Sequence, residues 1–149
     1  MALEYRLVLA GPATAEEVAE RAMTDTADRP SGDGPLLTAD LFAKYGFLLT
    51  VRAGKNAYVE VEADDESWLW EPAEYVSVNF RMDKFADLNR SVIHMLTVVR
   101  RLLSTGSEDA ALVLNGDVLL LTRLHGAVAK YRREQWWLSY PGADDVIDV

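Results

Sequence analysis

The chain has 149 residues, half of them hydrophobic, with no cysteine and a formal charge of −9 from 15 basic and 24 acidic side chains. That length suits a single domain, residues 1–149, burying about 68–70% of the surface its unfolded form exposes, and the apolar content argues against disorder. The charge argues against general affinity for nucleic acid or anionic membrane, both polyanions, and the absent cysteine removes disulfides, thiolate metal sites and cysteine nucleophiles.

Near the N-terminus, Glu4 and Arg6 fall where a signal peptide would need its apolar run. No apolar stretch approaches the roughly 20 residues of a bilayer span, so a cytoplasmic location is expected. Leu3, Tyr5, Leu7 and Leu9 alternate with Glu4 and Arg6, which predicts a half-buried strand ended by Gly11-Pro12. Thr14 and Glu17 stand at capping-box spacing ahead of a narrow helical stripe, Ala15, Val18, Ala19, Ala22 and Met23. Residues 24–35 are loop by composition and the most flexible stretch expected. Leu36–Tyr45 is ambiguous between a short helix and an irregular entry.

Further along, Phe47, Leu49 and Val51 alternate with Thr50 and Arg52. Ala53-Gly54-Lys55-Asn56 offers a turn, and Ala57, Val59, Val61 and Ala63 alternate with Tyr58, Glu60, Glu62 and Asp64. The expectation is a hairpin with one apolar and one polar face. After Trp68-Leu69-Trp70, a third strand has Val76, Val78, Phe80 and Met82 inward. Phe85, Leu88, Val92, Leu96, Val99 and Leu103 mark a helix of about 18 residues, with Gly106 placed to end it. Asn115-Gly116 is the strongest hairpin turn signal, and Leu119, Leu120 and Leu121 suggest a strand covered on both faces. Ala127–Arg132 leans towards strand, and the tail from Asp144 to Asp148 is expected to be loosely held. Together these give an α+β fold: a mainly antiparallel sheet with two principal helices on one face, in two layers, the other face partly wet. Glu60 and Glu62 would lie on that wet face, near Arg52 and Arg81.

Between Glu60 and Tyr75 the chain places Glu60, Glu62, Asp64, Asp65, Glu66, Glu71 and Glu74 with no Lys or Arg, and threads Trp68, Trp70 and Tyr75 through them. As a partner-binding site these ten residues would steer and pair with basic groups while the aromatics fill pockets. The plainer reading is a solvated strand edge whose charges deter sheet-to-sheet pairing, with the tryptophans in the core. Arg123, His125, Lys130, Arg132 and Arg133 cluster near Tyr131, Trp136 and Trp137. Five basic positions in an acidic chain suit internal or dimeric ion pairs better than nucleic acid.

No catalytic or metal-binding constellation emerges, and no cofactor is expected. Asp64-Asp65-Glu66 and Asp144, Asp145, Asp148 lack calcium-loop spacing. His94 has no ligand partner at helical spacing, and His125 precedes Gly126 in a turn. Ser91, Ser104 and Ser107 lack a nucleophile elbow. Gly32-Asp-Gly34 lacks the Lys and Ser or Thr of a phosphate loop.

The stretches Leu3-Glu-Tyr-Arg-Leu-Val-Leu-Ala-Gly, Tyr75-Val-Ser-Val-Asn-Phe-Arg-Met-Asp-Lys-Phe, Met95-Leu-Thr-Val-Val-Arg-Arg-Leu-Leu and Ala111-Leu-Val-Leu-Asn-Gly-Asp-Val-Leu-Leu-Leu resemble the Sit immunity family, type three. The resemblance runs over most of the chain. It implies a non-enzymatic antidote that binds and blocks a cognate antibacterial toxin inside the producing or sibling cell, and it brings no site residues with it. A basic toxin, a nuclease among the candidates, would suit the acidic stretch. Monomer and homodimer both stay open. The competing readings are a small non-catalytic regulatory or self-assembling domain, and an enzyme using the wet face near Asp83, His94 or His125.

Overall fold

The computed structural model describes residues 2–149. In chain order these form β1 (Glu4–Ala10), α1 (Ala15–Ala22), β2 (Leu36–Leu41), α2 (Phe42–Tyr45), β3 (Phe47–Lys55), β4 (Val59–Ala63), β5 (Glu66–Trp70), β6 (Glu74–Met82), α3 (Leu88–Ser104), β7 (Ala110–Leu114), β8 (Val118–Leu124), β9 (Ala127–Lys130), a π-helical turn (Arg133–Trp137) and α4 (Ala143–Val146). The strands make one sheet in the order β2-β3-β6-β1-β7-β8-β4-β5, with β9 also paired to β8. Every pairing is antiparallel except a single parallel contact of β4 with β8, so the class is α+β as the alternation predicts.

Helices α1 and α3 pack on one face of the sheet. The capping box is complete: Glu17 N–H donates to Thr14 Oγ1 at 3.1 Å and Thr14 N–H to Glu17 Oε2 at 3.4 Å. Val18, Ala19 and Ala22 of α1 meet Met95, Val98, Val99 and Leu102 of α3 in a core shared with Tyr5, Leu7, Leu49, Phe80 and Leu112. Between the helices, Arg21 reaches Glu108 at 2.6 Å and the Leu102 carbonyl at 2.8 Å. Gly106 lies beside this pair: a Cβ there would stand 2.1 Å from Glu108 Oε1 and 2.2 Å from Arg21 Nη2. Its missing side chain makes room for the ion pair. The helix itself ends at Ser104, where Thr105 is the C-cap.

Several sequence expectations are corrected. Leu36–Leu41 is a strand, with only one helical turn after it. Phe85 is 97% exposed and precedes α3. Residues 24–35 are fastened rather than loose: buried Asp28 accepts from Lys44 Nζ at 2.8 Å and Tyr45 Oη at 2.9 Å, and Ser31 exchanges backbone bonds with Thr38. The C-terminal segment is held by buried Ala143 and Ile147 and by Asp144, whose carboxylate takes Lys130 at 3.0 Å and Arg133 at 2.9 Å. Apolar residues spaced four apart and one well-placed acid suffice to tie down so short a segment.

The largest correction concerns β3. Ala53-Gly54-Lys55-Asn56 does not turn the chain back onto β4; β3 runs through to Lys55 and pairs with β6. Gly54 lies opposite Tyr75, and a Cβ on it would meet the Tyr75 ring at 2.7 Å. The glycine admits a close aromatic approach within a strand instead of making a turn.

Candidate functional site

The β3–β6 ladder does not stop at Lys55–Glu74. Asn56 N–H donates to the Ala73 carbonyl at 2.8 Å and Ala57 N–H to that of Pro72 at 3.0 Å, and β4–β5 continues the same register from Val59–Trp70 to Ala63–Glu66. Residues 47–82 are therefore one long hairpin with its tip at Asp64-Asp65. Its bend has local causes. Asn56 takes a left-handed conformation (φ 58°), which Asn tolerates, and Pro72 cannot donate to the ladder. Beyond the bend the distal half leans over the sheet until Glu62 N–H meets the Asp117 carbonyl at 2.9 Å. We refer to residues 57–73 as the arm.

An apolar face holds the arm down. Val59, Val61 and Ala63 form a second core with Val8, Ala111, Val113 and Leu119, flanked by half-buried Trp68, Trp70, Tyr75 and Tyr131. Burying a valine contributes roughly 1.5–3 kcal/mol, so the two valines alone anchor the arm by a few kcal/mol. This core covers part of the face expected to be wet. What stays open there is lined by Thr50, Arg52, Asn79, Arg81 and Arg6, with Arg81 loosely paired to Glu4 at 3.8 Å. Glu60 and Glu62 have left that face for the arm; the acid beside Arg81 is Glu4.

Strand alternation sorts the ten candidate residues. Glu60 and Glu62 point outward on β4, facing Leu69 and Ser67 across the pair, with exposed Tyr58 just before β4, exposed Glu71 just after β5, and Asp64 and Asp65 at the tip. Trp68 and Trp70 project from the opposite side, stacked with centroids 5.6 Å apart, half-buried on the second core. Glu66 shares their side of β5 and is exposed. Glu74 and Tyr75 lie at the base of the arm, where Arg6 sits 5.7 Å from the Tyr75 ring. The tryptophans are thus separated from the carboxylate face they were expected to serve. Its apolar residues are Tyr58, 62% exposed, and Leu69, 53% exposed. Both were legible from the alternation that placed Glu60 and Glu62 outward, had the segment 66–70 been taken as strand.

The carboxylates have few internal partners. Tyr58 Oη donates to Glu60 Oε2 at 2.8 Å, and that bond together with the charges of Glu60 and Glu71 raises the Tyr58 hydroxyl above its usual range. Asp64 accepts from the Arg132 N–H at 2.7 Å, and Glu62 lies 3.5 Å from the Arg132 guanidinium. Asp65, Glu66, Glu71 and Glu74 form no ion pair among the described residues. The basic cluster is the reverse. Arg123 is buried and donates to the Leu103 and Glu108 carbonyls, Lys130 is 1% exposed on Asp144 with its Nζ 4.5 Å from the Trp137 ring centroid, and Arg133 shares the same carboxylate.

His94 Nε2 has no partner and borders a cavity of only about 60 Å³, lined by Tyr45, Phe47 and Arg101 among others. Burial, helped by the Arg90 charge, pushes its pKa down. His125 occupies the β8–β9 turn with φ 52°. Among the described residues no three His, Asp or Glu side chains are grouped to hold a metal ion, and no helix is long and apolar enough to cross a membrane.

The fold and surface define an α+β architecture with a run of exposed carboxylates on one bent hairpin arm. The model of the SitI3-like family matches residues 3–141, and the chain belongs to that family. No curated protein and no solved structure matches it.

Proposed function

We propose that this chain is a non-enzymatic immunity protein that binds and neutralises a cognate antibacterial toxin in the cytoplasm, through the acidic outer face of the arm. One observation carries the reading. Glu60, Asp65 and Glu71 are held outward by an arm whose buried side is its other, apolar face, and among the described residues none of the three forms an ion pair. Carboxylates so placed steer a basic surface and pair with it, while Tyr58 and Leu69 supply the exposed apolar area that anchors an interface. Family membership gives the charge an object, a toxin with a basic cleft, a nuclease among the candidates. Self-association through opposite patches has less support, because Arg123, Lys130 and Arg133 are already occupied inside the monomer.

The bait is a toxin domain to be sought at the end of a large open reading frame beside this chain's gene. The triple variant Glu60→Lys, Glu62→Lys, Asp65→Lys is expected to bind it at least about 100-fold more weakly, to lose the steep salt dependence of binding, and to stop protecting co-expressing cells. Circular dichroism should match the parent. Unchanged affinity and salt dependence in a folded variant would place the site elsewhere.

A further inference from the structure

The outer face of the arm is small. Two strands of five residues span about 17 Å by 10 Å, well short of the roughly 800 Å² per partner of a standard interface. The partner must use something beside it, and the backbone offers a specific place. Strand β5 ends the sheet and pairs only with β4. Because Glu62 N–H points away from β5 to Asp117, the Glu62–Ser67 pair is a non-hydrogen-bonded one. By alternation the Leu69–Glu60 pair is another. The N–H and C=O groups of Ser67 and Leu69 therefore face away from β4, along an edge where both residues are exposed. The opposite end of the sheet is treated differently: Ser31 and Thr38 close part of the β2 edge with mutual bonds of 3.1 and 3.0 Å.

Accepting the arm as the toxin surface, we infer that the toxin engages it by strand addition: an extended, basic segment of the partner hydrogen-bonds to Ser67 and Leu69 along the free edge of β5. Its alternate side chains would fall on the Trp68–Trp70 side and on the Glu60–Glu62–Glu71 side. Main-chain bonds supply affinity in this mode, and the flanking side chains supply specificity. Charge selects the occupant. Two copies of β5 pairing edge to edge would bring Glu66 and the acidic arms of both molecules together, and like charges in such proximity are repelled. A strand carrying Lys or Arg is attracted by the same groups. The acidic flank thus repels self-pairing and admits one class of partner.

Amide exchange in the intact chain tests this without mutation. Free, the Ser67 and Leu69 amides should exchange rapidly; bound to the same bait domain they should slow at least about 10-fold. Ser67→Pro deletes one edge donor without touching the β4 ladder; it should weaken binding at least about 10-fold, while Ser67→Ala should not. A tight complex in which both amides exchange as in the free chain, with Ser67→Pro binding normally, would overturn strand addition and leave the arm as the surface. Failure of the domain to bind at all would remove both readings.

Discussion

The two charged clusters of this protein look alike in the sequence and behave oppositely in the fold. The C-terminal one is basic with aromatics between, and it is consumed internally: Lys130 and Arg133 share Asp144, Arg123 is buried against backbone carbonyls, and Arg132 reaches the arm. The arm is acidic with aromatics between, and most of its carboxylates face solvent unpaired. Charge density did not separate them. What separates them is the supply of opposite charge within reach and which face of each element is apolar. Lys130 sits where Trp137 and Asp144 enclose it; Glu60 sits on a strand whose other face is the buried one.

If the basic cluster belongs to the fold, breaking it should cost the most. Asp144→Ala leaves the ammonium of Lys130, whose side chain is 1% exposed, with a backbone carbonyl and the Trp137 ring but no counter-charge. Breaking a buried pair from one side costs about 3 kcal/mol, which for this length lowers the melting temperature by roughly 6–12 °C. Adding Lys130→Met should recover most of the loss, since an apolar chain of similar volume no longer needs the carboxylate. Thermal unfolding of the parent, single and double variants reads both effects. A single variant as stable as the parent would mean that the two clusters do not differ in this way.

Parts of this contrast could be read beforehand and parts could not. Tyr5, Leu7 and Leu9, the Thr14–Glu17 box, the 3.6-residue stripe of α3 and the Asn115-Gly116 turn each carry a local signal strong enough to survive folding. The β3–β4 junction does not. Gly54 near Lys55 and Asn56 has turn composition, yet its glycine answers to Tyr75, a residue 21 positions away in sequence that a strand pairing brings opposite. Likewise Trp68 and Trp70 signal apolar area without saying which side of a five-residue strand they take. The side depends on register, and register here is carried over from the β3–β6 ladder across the bend at Asn56 and Pro72. The acidic site was therefore visible as composition, while its division into a carboxylate face and a tryptophan face was not.

Acid should expose the same contrast at intermediate size. Hydrogen bonds from Arg133 and Lys130 hold the Asp144 carboxyl below its usual range, and bonds from Lys44 and Tyr45 do so for Asp28. Burial raises the Glu108 carboxyl, but the Arg21 hydrogen bond and the Arg21 and Arg123 charges outweigh it and leave it low. A carboxylate depressed in the folded state stabilises above its unfolded pKa, and that stability is lost as pH falls through the folded value. Stability should hold near neutrality and decline below about pH 4–5. Asp144→Ala removes one of the three groups, so urea unfolding from pH 7 to 3 should show a shallower decline in that variant.

The smallest expected effect is the most discriminating. Neutralising Asp65, Glu66, Glu71 and Glu74 together, to Asn and Gln, removes four charges without changing the shape of the side chains. None of the four has an ion pair to lose, and all are exposed. Surface substitutions of this kind shift stability little, and here the mutual repulsion of neighbouring carboxylates is relieved. The melting temperature should stay within about 2 °C of the parent or rise slightly. A marked fall would show that these charges take part in the fold, and the arm would then resemble the basic cluster rather than oppose it. A silent result, beside the large cost of Asp144→Ala, would leave the four carboxylates without an internal task, which is the condition under which a partner explains them.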